Sequence, residues 1–233
     1  MVRKLTSLSG IDAVDPVAMI ESRIQVLLSI YRRRQEKLSG LLLRADLTSF
    51  QRFRAEEILR QVRDEVRFLD RQVEAFSQQA VPRAYRLGLQ VASKSAAEAG
   101  IVREINFGNR INTRAINVLA DQMTQDLVSA NRSIQNNIHR FIRQTQQQIL
   151  EDSQISRTIA EGIIEGQTRR TVSDQLARQL REQMGEQQFV TAGGRSFTPE
   201  DYSELVARTR TREAASQGTV NGALQYGMDL VQI

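Results

Sequence analysis

From Asn109 to Asp152 the chain contains neither proline nor glycine. Nothing else in it restricts the fold as much, because a continuous helix is the default over a span with no breaker. Ile116, Ala120, Met123, Leu127, Ala130, Ile134, Ile138, Phe141, Thr145 and Ile149 run down one face at helical spacing. A helix of about 40 residues is about 60 Å long, twice the width of a small domain. Such a rod has to pack lengthwise in a bundle or coiled coil. Ala120 and Thr145 make its seam thin, so partner helices, from this chain or another, must supply the missing burial.

The flanking segments repeat the theme. Asp15 and Pro16 read as cap and first residue of a helix with Val17, Ile20, Ile24, Leu27, Leu28 and Tyr31 as its stripe, stopping at Gly40. A longer helix begins near Thr48 or Ser49. Its Val62, Val66, Leu69, Val73, Phe76 and Ala80 step by alternating fours and threes, a heptad seam. Pro82 is expected to kink or restart this helix, which then continues toward Gly100. Two shorter helices are predicted after the long one. Ile155, Ile159 and Ile163 mark the first, and Thr171 with Asp174 caps the second, which Gly185 closes.

The end of the chain changes character. Val190-Thr191-Ala192 and Arg195-Ser196-Phe197 flank Gly193-Gly194, a pair suited to a tight hairpin turn. Thr198 can cap a helix opening on Pro199, with Glu200 and Asp201 at its positive end. Gly227 can end that helix in the left-handed conformation, and Leu230-Val231 starts a strand-like run. The expected fold is therefore mainly α: an elongated long-helix bundle or coiled-coil-like body with a small C-terminal α+β region of hairpin, helix and terminal strand. Three regions follow, 1–107 with the kink at Pro82, 108–186 with the long helix and two short ones, and 187–233.

Composition excludes several chemistries. With no Cys and one His, disulfides, thiolate zinc sites and Cys nucleophiles are ruled out. No apolar run reaches the roughly 18 residues a spanning helix needs, and the start lacks the apolar stretch of a secretion signal, so a soluble protein made in the cytoplasm is expected. His139 has no nucleophile or second His nearby in sequence and reads as a structural or surface residue. The adjacent carboxylates Glu56-Glu57, Asp64-Glu65, Glu151-Asp152 and Glu200-Asp201 diverge by about 100° on a helix and cannot converge on one atom. No catalytic residue, metal site or cofactor is expected.

Two basic clusters remain. Arg32, Arg33, Arg34 and Lys37 sit near the end of the first helix, either as a solvated helix end or as candidate nucleic-acid contacts. Arg208, Arg210 and Arg212 lie on the last helix. There Glu204 can pair with Arg208 and Thr209 with Glu213, and the cluster reads as a structural charge network or as a contact for DNA or another protein. The net charge of +5 gives only a mild bias toward polyanions.

Two stretches, Arg208-Thr209-Arg210-Thr211-Arg212-Glu213-Ala214 and Tyr226-Gly227-Met228-Asp229-Leu230-Val231, resemble the conserved region of tailed-phage minor capsid proteins, the head-morphogenesis family typified by the F protein of phage Mu. Gly194, Arg195, Phe197 and Tyr202 are similar too, as is Val81-Pro82-Arg83-Ala84-Tyr85-Arg86-Leu87-Gly88 upstream. Relatives continue beyond the Asp-Leu-Val strand into a segment these 233 residues lack, so its role is not carried over. The resemblance implies a non-enzymatic virion component inside the head near the portal, made in the host cytoplasm and present in multiple copies. It would contact the portal protein, the major capsid protein or packaged DNA. Arg208, Thr209, Thr211, Arg212, Glu213, Gly227, Asp229, Leu230 and Val231 are its signature, with an architectural or docking role. The alternative is a DNA-associated helical protein that organises or accompanies the genome. A third reading, a carrier module for an appended domain, leaves this chain inert on its own.

Overall fold

The computed structural model describes residues 16–44, 52–101, 103, 106–151, 190–192 and 195–228. The protein is mainly helical. Four helices, α1 (Pro16–Arg44), α2 (Arg52–Glu98), α3 (Arg110–Glu151) and α4 (Pro199–Tyr226), account for nearly all described residues. Strands Val190–Ala192 (β1) and Arg195–Phe197 (β2) pair antiparallel with Val190 opposite Phe197. The Gly193-Gly194 turn, the two short helices expected before Gly185, and the Leu230-Val231 strand lie outside the described residues.

The helices alternate in direction. Arg34 of α1 meets Glu65 of α2, while Arg83 of α2 reaches back to Met19, so this pair is antiparallel. Asn131 of α3 bonds Asp70 and Asn112 bonds Tyr85, an antiparallel α2–α3 pair. On α4, Asn221 bonds Tyr85 and Tyr226 bonds Ser93, which sets α4 parallel to α2. One core joins all four, through Ile24, Leu27 and Tyr31 of α1, Leu69, Val73 and Tyr85 of α2, Met123 and Leu127 of α3, and Val206 and Ala214 of α4. The described parts of the three regions drawn from sequence thus share one interior.

Local chemistry sets the ends. The Asn109 side chain accepts from Asn112 N at 2.8 Å and caps α3. Thr198 does the same for α4, accepting from Asp201 N at 3.1 Å, with Pro199 following. Gly100 and Gly227 take positive φ values of 74° and 71°. Ile101 N then reaches Ala96 O and Met228 N reaches Ala223 O, the 6→1 bonds of a Schellman motif in both cases.

Two boundaries differ from the sequence expectation. Gly40 does not stop α1, which runs to Arg44. Pro82 does not restart α2, which is one helix from Arg52 to Glu98. Proline removes one intrahelical donor. Val81, Ala84 and Tyr85 beside it are fully buried, and that packing outweighs the lost bond.

Among the described elements, contact between α2 and α4 is the most extensive, and it is a glycine crossing. A Cβ on Gly88 would fall within 2.6 Å of Thr219 N and deep inside the carbonyl of Ala215. One on Gly218 would run into the Tyr85 carbonyl, and one on Gly222 would come within 2.6 Å of Ala92 Cβ. Hydrogen in place of a methyl is what lets the two backbones touch.

Candidate functional site on the fourth helix

Position along α4 decides what each signature side chain touches. Arg208 sits one turn after Glu204 and points toward α1. Its Nε donates to Glu204 at 2.8 Å, and Nη1 and Nη2 donate to the two oxygens of Glu21 at 2.6 and 2.7 Å. This bidentate fork raises the guanidinium pKa further and holds the Glu21 carboxyl below the usual carboxylate range. Two residues on, Arg210 faces α3, donating to Asp126 at 2.8 Å and to Glu213 at 2.7 Å. Thr211 is buried and returns its hydroxyl to Ala207 O at 2.7 Å. Thr209 and Arg212 are exposed.

The Glu204–Arg208 pair is the one anticipated, whereas Glu213 takes Arg210 as its partner and not Thr209. Gly227 closes the helix. Asp229, Leu230 and Val231 lie outside the described residues. Two of the three arginines in this stretch are therefore ties, Arg208 fastening α4 to α1 and Arg210 fastening it to α3, while Arg212 of the signature is exposed.

The first-helix cluster is tied down in the same way. Arg32 pairs with Glu200 at the start of α4. Arg34 and Lys37 share Glu65, and the Arg34 guanidinium stacks 3.8 Å from the Phe68 ring centre. Of the four cations proposed as nucleic-acid contacts, Arg33 is left exposed, with no ion pair among the described residues.

Two polar networks tie the helices internally. Tyr31 Oη donates to Asn131 Oδ1 at 2.9 Å, and Asn131 Nδ2 donates to Asp70 at 2.8 Å, linking α1, α3 and α2. Burial pushes the Tyr31 phenol well above its ordinary value. Tyr85, Asn112, Asn221 and Gln225 form the second, around the α4 end. Sequence reading missed both, because each joins residues far apart in the chain and the spacing within one helix carries no trace of them.

Two of the adjacent carboxylate pairs diverge: Asp64 faces Arg67 while Glu65 turns to α1, and Glu200 meets Arg32 while Asp201 closes the α4 cap, whereas Asp152 lies outside the described residues. No cluster of three or more His, Asp or Glu could hold a metal among the described residues. His139 is partly buried, and its Nε2 has no hydrogen-bond partner there. No helix among the described residues is long and apolar enough to cross a membrane.

No known family, curated protein or solved structure matches this chain.

Proposed function

We propose that this chain is a structural component of a tailed-phage virion, a minor capsid or head-morphogenesis protein associated with the portal inside the head. One observation carries the reading. The parts of the sequence that resemble that family, Val81–Gly88 on α2 and Arg208–Ala214 with Tyr226–Met228 on α4, lie on two helices that pack directly on each other, in contact through the residues between the two α4 stretches. Tyr85 bonds Asn221, and the Gly88 backbone lies against Ala215 and Thr219. Segments distant in sequence but joined in space are what a shared structural module requires, and Arg208 and Arg210 serve that module by bracing α4.

In this reading the protein is not an enzyme. Its elongated helical body spans distance, and the C-terminal hairpin, helix and terminal strand dock on the portal or major capsid protein in multiple copies per particle. The Leu230-Val231 run, read as a strand from sequence alone, would pair with a partner strand or with this chain's own hairpin. Head assembly, DNA packaging or genome delivery is the process served. Mass spectrometry of purified particles, followed by cryo-EM of the portal vertex, tests the proposal. The chain is expected in mature heads with density at that vertex, and its absence from particles overturns the reading.

A further inference from the structure

A second set of arginines behaves differently from those that brace the helices. Arg63, Arg67 and Arg71 follow one another on one face of α2, about 5 to 6 Å apart along its axis. Across the seam, α3 carries no Asp or Glu between Asp126 and Glu151, while it carries Arg132, His139 and Arg143. The Asn131–Asp70 bond sets the register and is flanked by Arg132 and Arg71. Antiparallel packing then brings the Arg63 end of the row opposite His139 and Arg143. His139 records this convergence: burial first, then the charges of Arg143 and Arg63, hold its imidazole below the ordinary value.

These cations are exposed, and among the described residues Arg63, Arg71, Arg132 and Arg143 form no ion pair. Arg67 reaches Asp64 at 3.9 Å, at the limit for one. Elsewhere in the same bundle Arg32, Arg34, Arg208 and Arg210 all have carboxylate partners.

We infer that the α2–α3 seam, through Arg63, Arg67, Arg71, Arg132 and Arg143, binds the phosphate backbone of a nucleic acid. Cations spread over about 12 Å along α2 and about 17 Å along α3 suit a polymer with regularly repeated negative charge more than a single ion. The seam also lacks the apolar anchors of a protein or lipid interface. Every exposed large hydrophobic among the described residues lies elsewhere, on α1, on α4, at the α2 end by Val91, or from Phe107 to Val118. Without base-reading geometry the binding is sequence-independent. The site differs from the Arg32–Lys37 cluster that composition suggested, whose charges are largely spent on Glu200 and Glu65. It also stands apart from the virion reading, since particle composition and DNA affinity are separate measurements.

Fluorescence anisotropy of the full chain with a labelled DNA duplex of random sequence tests it. Affinity should fall linearly in a log–log plot between about 50 and 200 mM salt. The Arg63→Gln/Arg143→Gln variant should bind about tenfold more weakly and lower the salt slope by about 2. Arg67→Gln/Arg132→Gln, which spares the groups around His139, should give the same loss, and Arg33→Gln should change nothing. All these side chains are exposed, so circular dichroism melts taken above pH 6.5, where His139 is neutral, should be superimposable. No binding at about 50 mM salt, an equal loss for Arg33→Gln, or preference for phosphatidylserine vesicles over the duplex would overturn the inference.

Discussion

Arg208 grips both carboxylate oxygens of Glu21, a residue 187 positions earlier in the chain, at 2.6 and 2.7 Å. Glu204 holds the same guanidinium from below, so the fork is fixed in direction before it meets α1. The planar, five-donor guanidinium makes this possible, and a lysine could not replace it.

Replacing Arg208 with Met should therefore destabilise the fold by about 1 kcal/mol, since both partners are a third or more exposed and solvent screens the pair. The melting temperature should drop by about 2–4 °C. In a double-mutant cycle with Glu21→Gln, the coupling energy should be about 0.5 kcal/mol. Strict additivity would mean that the bridge only accompanies helix packing.

One substitution made at two glycines should act in opposite directions. A methyl added at Gly40 would meet nothing within 4 Å, so Gly40→Ala should stabilise α1 by about 0.5–1 kcal/mol through the unfolded chain. Gly88→Ala drives its methyl into the Ala215 carbonyl and should cost about 1–3 kcal/mol or more. Urea unfolding of the two variants checks the signs, and a neutral Gly88→Ala would show that the crossing can open without penalty.

Tyr31→Phe removes the donor to Asn131 in a fully buried site. Loss of about 1–3 kcal/mol is expected because Asn131 Oδ1 is left without its partner. Restoring most of that loss with a second change, Asn131→Leu, would show that the unsatisfied amide, and not the missing hydroxyl, carries the cost.

Acid should weaken the bundle in two windows. His139 has its folded pKa depressed from 6.5, chiefly by burial and then by Arg143 and Arg63. Its contribution is present above pH 6.5 and is lost as pH falls through the folded value. Glu21 is held below 4.5 mainly by its bond from Arg208. Burial pushes Glu65 upward, but bonds from Lys37 and Arg34 bring it net below 4.5. Both contribute fully above pH 4.5 and fade as pH falls further. Melting temperatures against pH should show a first decline that His139→Gln removes and a second that Glu21→Gln with Glu65→Gln flattens.

What could be read from the chain was what is local. The breaker-free span became α3, the Val62–Ala80 heptad became a seam whose members other than Phe76 are buried, and Thr198 and Gly227 cap α4 as their side-chain chemistry dictates. What could not be read depends on register between helices. Glu21 and Arg208, or Tyr31 and Asn131, meet only once the antiparallel offsets are set. The basic run at Arg32–Lys37 looked open because its carboxylate partners lie on α2 and α4. Proline at position 82 does not restart the helix for a related reason: propensity predicts the isolated helix, and packing decides the folded one. Gly88 and Gly218 carry no local signal of how close α2 and α4 come.

The glycine crossing also dictates an order of events during synthesis. Its first half leaves the ribosome long before the second, so Leu89 and Ala92, which lie against Gly222, stay bare on that side until the closing helix is translated. A ribosome stalled before Thr198 would hold out α1, α2 and α3 without that cover, inviting capture by chaperones or clumping with its neighbours until α4 silences it.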